Sequence, residues 1–200
     1  MKLYRPCGLE EMALVFRSHM RHWPPRLPEQ PIFYPVTYRE YADQISQRWN
    51  ATSESRLGYV TAFEIDDGYA AQFETKIVGA RIHEELWIPA EELESFNTHI
   101  LHPIDVVGLF AHPQTAGSVP QQGPWAGKTA QDQLQAAADL SPHSLEAIIH
   151  EHTEHVWLNW PLWRALGEDE QPELEHTIAS AWSATGSQTA LAACTAQWIA

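Results

Sequence analysis

Basic side chains are scarce in this chain: Lys and Arg number 12 against 26 Asp and Glu in 200 residues, a formal charge of −14. A field of that sign repels phosphate backbones and argues against general nucleic-acid binding. Ten of the twelve basic residues precede residue 113, so a local basic groove stays open in that half. Cysteine is nearly absent. Cys7 and Cys194 stand near opposite ends with no CxxC or Cys/His finger spacing, and they read as reduced thiols of a cytoplasmic protein. No apolar run approaches the roughly 18 residues of a membrane span, and residues 1–20 lack a secretory apolar core. Membrane association is not expected. Neither GxGxxG nor GxxxxGK(S/T) occurs, which leaves Rossmann and P-loop sites without support.

What is present changes character near His112. Residues 1–112 mix 10 basic and 16 acidic groups with prolines and short apolar runs, as strands and helices together would. Residues 113–127 open on a Pro-, Gly- and Gln-rich stretch of linker composition. Residues 128–200 carry only Lys128 and Arg164 against ten acids, in Ala- and Leu-containing stretches that suit helices. The expected organisation is an α+β domain (1–112), a linker (113–127) and a helical domain (128–200). In the first unit the patterns predict strands over Lys2–Arg5 and Ile32–Val36, and helices over Leu9–Met20 and Tyr38–Trp49. Leu57–Ile65 alternates as a strand does, and Asp66-Asp67-Gly68 reads as a turn. Strands over Ile77–Ala80, Glu85–Ile88 and Ile104–Phe110 follow, with a helix from Pro89 to about Phe96. Helices set among short strands in this order give α+β, not a doubly wound sheet.

The stretch with most chemistry in it is His83-Glu84-Glu85-Leu86-Trp87-Ile88-Pro89. A short strand that starts on carboxylates and breaks at proline holds one carboxylate firmly at a cleft. With Leu3-Tyr4-Arg5-Pro6 and Phe33-Tyr34-Pro35-Val36 followed by Tyr41-Ala42, it resembles the ordered motifs of ADP-ribosyltransferase-like domains. The resemblance covers about residues 1–110, and extends to short bacterial proteins associated with ADP-ribosylation. It implies mixed sheets with flanking helices. It also implies NAD as substrate, Glu85 as the catalytic carboxylate, Arg5 holding the dinucleotide, Tyr34 or Tyr41 stacking on nicotinamide, and ADP-ribose passing to an acceptor macromolecule. Arg5 and Glu85 should then converge across one cleft.

The chemistry behind that implication is plain. Cleaving the nicotinamide–ribose bond builds positive charge on the sugar, which a carboxylate stabilises. A guanidinium suits a phosphate. His83 is a candidate to take the acceptor's proton. The Ser-Thr-Ser motif of the Arg-class enzymes is absent, and His83 stands where protein-modifying members carry Glu or Gln. Water as acceptor therefore stays open, as do a non-catalytic nucleotide- or partner-binding module and removal of ADP-ribose. Asp66-Asp67 invites comparison with the paired aspartates of ADP-ribosylglycohydrolases, but a turn is the simpler reading. No metal site is expected. In the tail, His150–His155 is not HExxH, and His152 falls on the apolar face of Leu145, Ile149, Val156 and Trp160, as a partly buried imidazole would. Ser141-Pro142 makes a good helix start. Trp157, Trp160 and Trp163 suit either a core or a protein partner.

Overall fold

The computed structural model describes residues 1–167 and 172–199, and its class is α+β. In chain order the elements are β1 (Lys2–Cys7), α1 (Leu9–Arg17), β2 (Ile32–Phe33), α2 (Arg39–Arg48), β3 (Leu57–Glu64), the one-turn α3 (Asp67–Ala70), β4 (Glu74–Ile77), β5 (Glu84–Pro89), α4 (Leu93–Thr98) and β6 (Asp105–Ala111). After a stretch without helix or strand come α5 (Ala130–Ala138), α6 (Pro142–Glu151), α7 (Thr153–Gly167), α8 (Pro172–Ala184) and β7 (Ala196–Trp198). The helix expected to reach Met20 stops at Arg17, because His19 and Met20 turn into the left-handed region at φ 57° and 61°. The strand expected over Ile77–Ala80 lies earlier, at 74–77. Residues 78–83 instead make the hairpin connection, closed by Val78 N–H to the His83 carbonyl at 2.9 Å. The turn expected at Asp66-Asp67-Gly68 is instead the start of α3: Asp66 caps it, its carboxylate accepting from Tyr69 N–H, and Asp67 and Gly68 are helical.

The strands form two sheets, β1-β3-β6-β7 and β2-β5-β4. A single residue joins them: Val36 pairs with Tyr4 on one side and Glu85 on the other. Tyr4 and Val36 exchange both backbone hydrogen bonds at 2.8 Å, so the backbone of Tyr4 points into the seam between the sheets. Two residues on, Pro6 points the same way. It has no N–H to offer, so the ladder cannot continue and the sheets part. The expectation that Pro6 ends the strand is therefore corrected. Its missing donor falls on the seam edge, and β1 runs on to Cys7 along β3.

Strand alternation gives the β1-β3-β6-β7 sheet two apolar faces, whereas β5 turns only one toward the core. Leu3, Cys7, Phe33, Leu86, Ile88 and Phe96 belong to the larger core with α1, and Val36, Val60 and Phe110 pack with Ala42 of α2 on the other side. α2 approaches closely because residue 58 is glycine: a Cβ there would stand 2.4 Å from the Ser46 carbonyl oxygen.

The segment expected to be wholly helical ends in β7, which lies parallel to β6 with Leu109 opposite Ala196. Residues 113–127 form neither helix nor strand, and packing crosses them. Tyr59 donates its hydroxyl to the Leu158 carbonyl at 2.9 Å, and Phe16 meets Trp157 at 4.9 Å. Trp157, Trp160 and Trp163 are buried, their indole N–H groups donating to the carbonyls of Ala190, Ala192 and Ala130. They are core residues and offer no face to a partner. Asn159, fully buried, accepts from Ser118 N–H at 2.7 Å and donates to the Ser118 carbonyl and to Gln133 Oε1. Among the described residues no helix is long and apolar enough to cross a membrane.

The helix begun at Ser141-Pro142 breaks at His152, whose ring stacks on Trp125 at 5.5 Å. His155 Nδ1 lies 2.8 Å from Ser118 Oγ. Burial lowers both histidines from the ordinary value of 6.5, only partly opposed by Glu151 and Glu154. The folded state thus holds them neutral while the unfolded chain takes up protons first. Stability should be fully present above about pH 6.5 and fall as the pH drops below it. Urea midpoints between about pH 7.5 and 5.5 test this, with a shallower fall in His155→Gln. A midpoint that rises on acidification, or an unchanged slope in the variant, contradicts it.

Candidate functional site

Glu85 is only 7% exposed, although it opens a strand. Leu86 and Ile88 turn into the core, so Glu85 and Trp87, two apart, leave β5 on the opposite face. There Trp87 Nε1 donates to Glu85 Oε2 at 2.8 Å, and Tyr41 Oη, carried by α2, donates to Oε1 at 3.1 Å. Lys76 stands opposite Glu85 in the ladder, its ammonium 3.8 Å from the centre of the Trp87 ring. Burial, reinforced by the negative charge of Glu85, pushes the Tyr41 hydroxyl up to about 12. The phenol is a fixed donor to the carboxylate at any ordinary pH.

His83 and Tyr41 come together as a stacked pair, 4.4 Å between centroids and 24° between planes. His83 Nδ1 accepts from Ala80 N–H at 3.2 Å, which places the proton of a neutral ring on Nε2, facing Gln44 Oε1 at 3.2 Å. Both nitrogens are engaged, and one face of Tyr41 is covered. His83 is not placed as a free proton acceptor beside Glu85, and Tyr41 is not a two-faced platform. Glu84 turns the other way, accepting from Thr37 Oγ1 at 2.8 Å.

Arg5 does not join this group. In the paired row it is Tyr4, with Val36 and Glu85, whose side chains share a face. Alternation turns Arg5 to the other face, toward α1. The expected convergence of Arg5 and Glu85 is thereby corrected: they leave the strands on opposite sides. Arg5, 5% exposed, donates Nε to Glu11 Oε1 at 2.8 Å and Nη2 to Oε2 at 3.2 Å, and lies 4.5 Å over the Phe33 ring. Its fork already holds a carboxylate of its own chain.

Beyond Pro6 the parting sheets leave a cleft of 670 Å³ bounded by α1, the proline loop and α2. Arg5, Glu11, Arg26, Tyr34, Ile45 and Trp49 line it, whereas Glu85, Tyr41 and His83 do not. Tyr34 is 42% and Trp49 61% exposed, so two aromatic faces stand at its mouth. No family model, no curated protein and no solved structure matches the chain. Among the described residues no three His, Cys, Asp or Glu side chains group as metal ligands. Sequence reasoning passed over Arg26, Glu11 and Trp87. The signal for Arg26 was its place after Pro24-Pro25, where two fixed φ angles make a loop rigid enough to aim a long side chain.

Proposed function

We propose that the chain is a nucleotide-binding module of ADP-ribosyltransferase-like fold, taking an NAD-class ligand in the cleft at the seam of the two sheets. Support for the ligand class comes from the resemblance together with one observation. The three segments that carry it, around residues 5, 34–36 and 85, are distant in sequence and adjacent across the seam. Support for binding over transfer comes from the orientation of Arg5 and Glu85. Arg5 turns toward α1 and grips Glu11, whereas Glu85 shares the face of Val36, Trp87 and Tyr34, so a ligand gripped at Arg5 lies across the strands from the carboxylate. In this reading Tyr34 and Trp49 stack on flat rings of the ligand, and an acceptor macromolecule has no role.

The second reading is NAD cleavage at Glu85, with ADP-ribose passing to water or to an acceptor. It is favoured by a carboxylate kept nearly dry and oriented by two donors, as an oxocarbenium-stabilising group needs. Calorimetric titration with NAD and ADP-ribose, with nicotinamide release followed in wild type and Glu85→Gln, separates the two. Binding without release is the expected result. Release that disappears in Glu85→Gln moves the assignment to the second reading, and absence of both binding and release overturns each.

A further inference from the structure

We infer that Arg26 is the oxyanion-holding residue of the cleft and that the ligand it takes carries a phosphate. The inference deepens the proposed reading of the same cleft, but it rests on Arg26 alone. The Arg26 side chain is nine-tenths buried, at 10% exposure. Among the described residues it makes no hydrogen bond, and its Nε is buried without a partner. The nearest carboxylate oxygen, of Glu11, is 3.9 Å away, and that carboxylate is gripped from the side by Arg5. Arg5, Glu11 and Arg26 thus form a buried group with one positive charge in excess. Burial and the neighbouring Arg5 lower the Arg26 value, opposed only in part by Glu11 and Tyr34.

A guanidinium does not escape this by losing its proton: Nε is buried without an acceptor, and the Nη groups, which also lack hydrogen bonds among the described residues, are left to take theirs from the cleft. Buried donors are otherwise satisfied nearly everywhere in proteins. A group so placed, lining a cleft of 670 Å³, has room for an oxyanion. A planar fork fits two phosphate oxygens. The carboxylates facing it are Glu11, already paired, and Glu10, exposed at the rim. The exposed rings of Tyr34 and Trp49 stand at the same mouth, which favours a phosphate attached to a flat base over a free one.

The variant that tests this is Arg26→Met, compared with Arg26→Lys and wild type. Inorganic pyrophosphate, AMP and ADP-ribose are titrated by calorimetry, and melting is followed without ligand. Affinity for the phosphate probes should fall roughly tenfold to a hundredfold in Arg26→Met, the size of a charge-assisted contact, and less in Arg26→Lys. The unliganded melting temperature should stay level or rise, because an unpaired buried charge is replaced by an apolar chain of similar length. A merely structural arginine would give the reverse, a lower melting temperature with unchanged affinity, and would overturn the inference. So would a wild type that binds none of the probes. Pyrophosphate binding that needs Arg26, without any binding of NAD, would leave the inference standing and remove the NAD-class reading. NAD binding equal in wild type and Arg26→Met would do the opposite.

Discussion

Arg5→Ala should lower the unfolding free energy by about 2–4 kcal/mol, read as a shift of the urea midpoint. Removing one member of a buried ion pair leaves the other uncompensated, and typically costs about 3–5 kcal/mol. Here Glu11 is partly rescued, because Arg26 stands 3.9 Å away and can move toward the vacated carboxylate. The stacking of the guanidinium over Phe33 is lost as well. The contrast with Arg26→Met carries the interpretation: two arginines line one cleft, one braced by its own chain and the other not. If Arg5→Ala leaves stability unchanged while abolishing nucleotide binding, Arg5 touches the ligand as the resemblance implies, and its bond to Glu11 is incidental.

Asn159→Ala should be costlier still, about 3–5 kcal/mol by the same measurement. The amide is fully buried and touches three polar partners. Truncation leaves the Ser118 N–H and Gln133 Oε1 without a partner, each worth about 1–3 kcal/mol when buried and unsatisfied. The Ser118 carbonyl keeps its bond from Gln133 Nε2 at 2.8 Å, which limits the loss. No backbone rearrangement easily fills the space, because Gly117 already sits where a Cβ would be 2.5 Å from Ala130. Since Asn159 fastens the segment after His112 to α5 and α7, the variant should also expose that segment to limited proteolysis. A loss below about 1 kcal/mol would mean that water replaces the amide.

The strands and helices before residue 112 could be read because their periodicities are clean and their turns are marked by Pro and Gly. β5 was visible through its Glu-to-Pro spacing, and α2 through Tyr41, Ile45 and Trp49 on one side. The facing of Arg5 and Glu85 was not legible, since alternation fixes relative sides only within a strand. Which residue of β1 lines up with Glu85 depends on Val36, and no local pattern encodes that register. β7 was hidden for a similar reason. Ala196-Gln197-Trp198 is too short to show a period, and it becomes a strand only because β6 offers an edge. Nothing in the local sequence marks Glu11 and Arg26 as buried. Their burial is a product of how α1 and the proline loop close over the seam.

The position of β7 also bears on how the protein comes off the ribosome. The outer edge of β6 is complete once residue 111 has been made, but its partner strand begins about 85 residues later. At ordinary synthesis rates that interval is on the order of 4–17 s. Throughout it an apolar strand presents an unsatisfied ladder, the configuration most prone to pairing with a neighbouring nascent chain. Yield at high expression should therefore depend on chaperone capacity during that window more than on the stability of the finished fold.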